Sequence, residues 1–117
     1  MSPLLSNSVY NYTKLQIETA SQRRLICMLH EQCVVQLRQA LQTNDTLRRQ
    51  LLDKVQNILV ILQRSLKLND ATSKSLFHLY DYCYCKLERD TAPDISNTMN
   101  ILDILRQTFN QLLKHPC

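Results

Sequence analysis

The chain contains no glycine, and its only prolines are Pro3, Pro93 and Pro116. Strand-rich folds of this length turn often and tightly, and turns with positive φ usually call for glycine. That lack argues against sandwiches and barrels, and it removes any glycine-rich loop able to cradle phosphate. Long hydrophobic runs are missing too. The longest, Ile58-Leu59-Val60-Ile61-Leu62, is far too short to span a bilayer, so no stable membrane insertion is expected. No basic segment followed by an apolar one opens the chain, so no Sec-type leader is expected. Charge is not concentrated: 14 Lys+Arg against 10 Asp+Glu give +4, and the densest cationic spots are the pairs Arg23-Arg24 and Arg48-Arg49. A nucleic-acid surface gathers its cations on one face. Solvated helix faces and no nucleic-acid partner are therefore expected, although mild positive charge can steer an acidic protein partner. The five cysteines, Cys27, Cys33, Cys83, Cys85 and Cys117, are odd in number and lack the spacing of a secreted framework. Reduced thiols in a cytoplasmic protein are the natural reading.

What is present is helical. Hydrophobic residues make up 44% of 117, enough for one domain with one core. Residues 1–20 form an N-terminal arm without sustained periodicity, extended or briefly helical, whose Tyr10, Tyr12, Leu15 and Ile17 suit docking on the body. Residues 21–115 form the bundle. Ser21 is the expected N-cap of a first helix of about 21 residues, with Ile26, Leu29, Cys33, Leu37 and Ala40 at helical steps. Asn44-Asp45 ends that helix and caps the second, whose stripe follows Leu47, Leu51, Val55, Ile58, Leu62 and Leu66. Asn69 is expected to take the left-handed position that glycine would fill after it. The third helix carries Leu76, Tyr80, Cys83 and Leu87. Asp94 caps the fourth, with its seam at Ile95, Leu102, Leu105, Phe109 and Leu112. Short links force neighbours antiparallel, which gives an all-α, up-down-up-down four-helix bundle. Helices two to four carry apolar stripes wider than a bundle face needs, so some apolar surface is left for a partner or for the arm.

Catalytic and metal motifs fail on inspection. His30-Glu31 begins the zinc-protease pattern H-E-x-x-H, but Val34 stands where the second ligand belongs. Cys83 and Cys85, two apart on a helix, point about 200° apart and can neither bridge nor share an ion. His78, Asp81 and Cys85 share a face, yet about 10 Å of rise separates the first from the last. The residues therefore give no argument for an enzyme, a metal or any other cofactor. Among the tyrosines, Tyr80 and Tyr84 share a face and Tyr82 projects away. Tyr80 suits the core, whereas Tyr82 and Tyr84 suit plain surface and partner anchoring equally.

Four stretches resemble one family, the bacterial flagellar export chaperones known as FliS. The opening Tyr12-x4-Ile17-x-Thr19-Ala20-Ser21, followed by Leu25-Ile26-x-Met28-Leu29, resembles its first signature. Lys54-x-Gln56-Asn57-Ile58-Leu59 is similar to its second-helix motif. Leu79-Tyr80-Asp81-Tyr82-x-Tyr84-x-x-Leu87 resembles its third, and Leu105-Arg106-x-x-Phe109 sits where the family ends with Arg and a large aromatic. The likeness runs from Tyr10 to Leu113. Departures are Gln22 for a frequent proline, His30-Glu31-Gln32 for a Tyr-Asp/Asn-Gly stretch, and Arg89-Asp90 for Ala-Asn. The resemblance implies a cytoplasmic chaperone that holds the disordered C-terminal segment of flagellin, blocks premature polymerisation and aids delivery to the flagellar type III export gate. It implies that Tyr12, Ile17 and Ala20 guard or line the groove. It further implies that Leu25, Met28 and Leu29 border it, and that Ile58, Leu59, Tyr80 and Tyr84 supply apolar wall, with Tyr82 a further partner-binding candidate. The free form is expected as a monomer or weak homodimer. The alternative in a different class is a self-associating structural or regulatory bundle without a flagellin client.

Overall fold

The computed structural model describes residues 20–114, with side chains described over 22–111. The arm's Tyr12 and Ile17 lie outside the described residues, as do the side chains of Ala20 and Leu112. Each apolar stripe becomes a helix: α1 (Ala20–Leu41), α2 (Asp45–Arg64), α3 (Ala71–Leu87) and α4 (Ala92–Lys114). Every helix packs on its two neighbours in the order α1–α2–α3–α4–α1. The diagonal pairs α1–α3 and α2–α4 bring no Cα atoms within 8 Å. The result is the expected antiparallel four-helix bundle.

The core forms where the periodicity predicts. Cys33, Val34, Leu37 and Ala40 of α1 meet Leu51, Leu52, Val55, Leu59 and Leu62 of α2. Tyr80, Cys83 and Leu87 of α3 and Ile95 and Leu102 of α4 close it from the other side. Leu47, expected in the α2 seam, is instead exposed on the first turn of that helix. Leu66 falls after α2 ends, yet still packs half-buried against the core.

The ends of the helices differ from expectation in instructive ways. α1 begins at Ala20, so Ser21 lies inside the helix and does not cap it. Asn44 takes the extended N-cap conformation before α2, but its side chain makes no capping bond. Asp70 caps α3 fully, accepting from Ser73 N at 2.8 Å. Ahead of α4 the cap is Thr91 and not Asp94. The Asp94 amide donates to Thr91 Oγ1 at 3.2 Å, and the Thr91 hydroxyl donates to Asp94 Oδ2 at 2.8 Å. That is a variant of the reciprocal capping box, with Asp94 in its third helical position and Pro93 inside the first turn, where a missing N–H costs nothing. The hydroxyl bond also holds the Asp94 carboxyl below the ordinary carboxylate range. Asn69 does not adopt the left-handed region; Asp45 (φ 50°) and Asp90 (φ 59°) do. In a chain without glycine, a short polar side chain that can bond locally is the next best occupant of that region.

Candidate partner-binding surface

The surface is best built outward from α2, whose two long edges are made differently. On the α3 edge, three polar residues recur at heptad spacing and reach across to the neighbouring backbone. Arg49 Nη1 donates to Leu87 O at 3.1 Å, Gln56 Nε2 to Tyr84 O at 3.0 Å, and Gln63 Nε2 to Phe77 O at 3.1 Å. Arg49 also bonds Gln56 Oε1 at 2.9 Å and Asp53 Oδ1 at 3.0 Å, while Gln56 reaches Glu88 Oε2 at 3.3 Å. The Gln56 side chain is buried, so its amide would lose its partners if α3 moved away.

On the α1 edge, Arg48 Nε donates to Ala40 O at 2.9 Å beside the link. Farther out the edge is apolar. Leu25 and Ile61 stand equally far along the chain from the link, so antiparallel packing sets them at one level, with Met28 level with Ile58. Leu25 is 51% exposed, Met28 54% and Ile61 52%, with Leu29 and Ile58 half-buried beneath them. Leu25 is turned toward α2 because Cys27, on the opposite side of α1, donates its thiol to Arg106 O of α4 at 3.6 Å. Leu25 and Ile61 therefore flank the outer half of the α1–α2 edge, while Met28, half a turn round α1 from buried Leu37, lies beside it on the outward face of α1.

The expected site residues divide among three places. Leu25, Leu29 and Ile58 lie on this edge, and Met28 stands beside it on the outward face of α1. Leu59 and Tyr80 are fully buried in the core and support the wall from within. Tyr84 packs half-buried against the core near α2, while Tyr82 is exposed toward α4, with Lys86 Nζ 5.4 Å from its ring centroid. Lys86 in turn pairs with Asp94 at 3.3 Å. Tyr82 is thus remote from the Leu25–Ile61 patch. Ile61 was not singled out by sequence. The signal was present, since Ile58 and Ile61 occupy one side of α2, but register against Leu25 becomes visible only with the helices packed.

A second feature not foreseen lies at the centre. His30 of α1 is completely buried, and its Nε2 shares a 2.8 Å hydrogen bond with the Tyr80 hydroxyl across the diagonal of the bundle. Phe109 packs against the same imidazole, with ring centroids 5.2 Å apart. Burial pushes the His30 pKa down to about 4, so the ring is neutral at physiological pH. Where a protease would hold zinc, His30 closes a polar bond inside the core.

The remaining chemistry is quiet. Cys83 is buried and Cys85 exposed, facing apart as expected. Burial pushes the thiols of Cys33 and Cys83 up to about 12. Because no α1–α3 Cα pair lies within 8 Å, the two cannot bridge without backbone movement. His78, Asp81 and Cys85 all face solvent. Among the described residues no group of three or more His, Cys, Asp and Glu could hold a metal ion, and no helix is long and apolar enough to cross a membrane.

Comparison with known proteins gives one informative match. A search of curated proteins finds no match. The family model described as flagellar protein FliS matches residues 5–115, nearly the whole chain. That family is one of flagellar export chaperones and not of enzymes. With the match spanning the whole bundle, the chain belongs to the FliS family of flagellar proteins.

Proposed function

We propose that this chaperone binds the disordered C-terminal segment of flagellin and folds it as an amphipathic helix on the α1–α2 edge. The single observation that carries the reading is the open apolar patch Leu25–Ile58–Ile61, rimmed by Met28, on a member of this family. A free flagellin tail exposes the surface that polymerises, and laying its apolar face along such an edge covers it. Ordering the tail consumes part of the interaction energy, which keeps affinity moderate and permits release at the type III export gate. The process would occur in the cytoplasm and requires no cofactor. Leu25, Met28, Leu29 and Ile58 would touch the client together with Ile61, while Leu59 and Tyr80 would shape the wall without touching it. The segment bearing Tyr12 and Ile17 enters α1 through Ala20, next to the Leu25 end of the patch, and would flank the same surface.

Isothermal titration of the full chain with the C-terminal segment of flagellin from the same organism tests this directly. Saturable binding is expected, and Ile61→Glu should weaken it by about 2 kcal/mol, the size of a central contact turned polar. Absence of saturable binding to the unaltered chain would sink the proposal. Binding that Ile61→Glu leaves untouched would move the client to another face.

A further inference from the structure

Between the apolar outer half of the α1–α2 edge and the Arg48 tie beside the link, the edge turns polar. Gln36 follows Leu29 by seven residues and Leu25 by eleven, so the three share one side of α1. Lys54 precedes Ile58 by four residues and Ile61 by seven, which sets it on their side of α2. Gln32 and Lys54 stand equally far along the chain from the link, at one level about two turns inward of Leu25 and Ile61. Gln36 leans back toward that level, donating from Nε2 to Gln32 Oε1 at 3.3 Å. Two groups here are unmatched. Gln36 Oε1 is buried and accepts no hydrogen bond among the described residues. Lys54 is exposed and takes part in none of the ion pairs found among them. No Asp or Glu stands three or four residues from it on α2. Asp53 bonds Arg49, which is tied to the backbone of α3, and the charge of Glu31 acts on Arg106 of α4. This stretch of the edge therefore offers one acceptor and one free ammonium donor. An occupant confined to the outer half leaves both as they are. One that runs on toward the link covers Lys54, and an apolar side chain there would take the ammonium out of water unpaired.

We infer that Gln36 and Lys54 together read a carboxamide, an Asn or Gln side chain of the client helix about two turns from the centre of its apolar stripe. The amide N–H of that side chain donates to Gln36 Oε1, and its oxygen accepts from Lys54 Nζ, so one group satisfies both. A carboxylate would meet Lys54 but has no proton for Gln36 Oε1, and a leucine serves neither. The inference rests on the client-binding reading above and adds a register mark to it. An apolar strip alone lets a helix slide by a turn at little cost. A single polar match beside the strip fixes the register, because any slid position leaves it unmade.

The test uses the full chain and three synthetic helical peptides that share one apolar stripe. They carry Gln, Leu or Glu two turns to either side of the stripe's centre, so that either direction of docking presents one to Gln36 and Lys54. By calorimetry the Gln peptide should bind about fivefold more tightly than the Leu peptide. That gap should hold between about 50 and about 500 mM salt, since a partly buried contact is screened little. Lys54→Met and Gln36→Met should each close the gap while leaving the circular dichroism spectrum unchanged. Equal binding of the Gln and Leu peptides, or a gap that either variant keeps, overturns the assignment. Tightest binding by the Glu peptide, fading with salt, overturns it in favour of a carboxylate read by Lys54 alone. Failure of all three peptides, together with a dimer that Ile61→Glu disperses, overturns it in favour of a second copy of this chain on the edge. The flagellin segment separates the two levels of the argument. If it binds the unaltered chain and both variants equally, the chaperone reading stands and only the carboxamide inference falls.

Discussion

Along its α3 edge, α2 is tied by Arg49, Gln56 and Gln63 to three backbone carbonyls; along the outer half of its α1 edge it presents Ile58 and Ile61 opposite Leu25. The two edges belong to one helix and differ in what separation would cost. Parting α2 from α3 strands a buried Gln56 amide, and an incoming apolar helix offers it no acceptor. Covering the α1 edge with an apolar helix exchanges water for hydrocarbon and strands nothing. A chaperone that must accept and release a client needs both kinds of edge, one that stays shut and one that is exchangeable. The comparison also explains the second-helix motif residue by residue. In Lys54-x-Gln56-Asn57-Ile58-Leu59, Gln56 fastens α3, Leu59 fills the core, and Lys54, Asn57 and Ile58 look out toward the α1 edge.

The largest expected effect comes from removing what both edges share. Leu59 is fully buried between them, and Leu59→Ala should cost about 3 kcal/mol of stability through lost burial and the cavity left behind. Urea denaturation measures it. A cost below about 1 kcal/mol would mean the core collapses around the gap and α2 is not a fixed wall.

Acid should act nearly as strongly, through the centre of the bundle. The folded-state pKa of His30, about 4, lies below the ordinary value of 6.5. As pH falls, the unfolded chain takes up the proton first. Stability fully present above about pH 6.5 is therefore lost as pH drops toward 4, by about 3 kcal/mol in total. His30→Gln keeps a side chain able to bond the Tyr80 hydroxyl but has no proton to gain, so the slope over that window should vanish in chemical denaturation series. If the slope persists in the variant, another group carries it. Asp70, Asp94 and Asp103 are held below the ordinary carboxylate range by their hydrogen bonds, and they act only at still lower pH.

Much of this architecture was legible in the sequence because it depends on spacing. The stripes in α1 to α4, the burial of Cys83 and Tyr80, and the exposure of Cys85 all follow from a period of 3.6. What was not legible depends on which helix faces which and at what level. His30 reads only as the start of a zinc motif that fails at Val34 until α3 sets the Tyr80 hydroxyl beside it. Ile61 reads as stripe widening until the antiparallel register brings Leu25 opposite. Tyr82 falls away from the patch because the third helix's motif spans three directions, only one of which turns to α2. The caps escape the sequence for a similar reason: Thr91 and Asp94 are both good cap residues, and only the reciprocal bonds show which one opens α4.

The two edges can be set against each other most sharply with one substitution on each. Gln56→Ala removes the central tie to α3 and should cost about 1–2 kcal/mol of stability, since a buried, multiply bonded amide is lost and the Arg49 guanidinium loses an acceptor. Flagellin affinity at the native population should then change little, because no part of the α1 edge has moved. Ile61→Glu is expected to do the opposite. Its side chain is half exposed, so stability should shift by no more than about 0.5 kcal/mol, the smallest folding effect of the set, while client affinity falls. The pair is informative because either change alone has a dull explanation, a weakened fold or a marred surface. Measured together by urea titration and calorimetry, opposite signatures assign fastening to one edge and exchange to the other. Should Gln56→Ala lower affinity as much as Ile61→Glu, the α3 edge would have to open during binding, and the division of labour along α2 would be wrong.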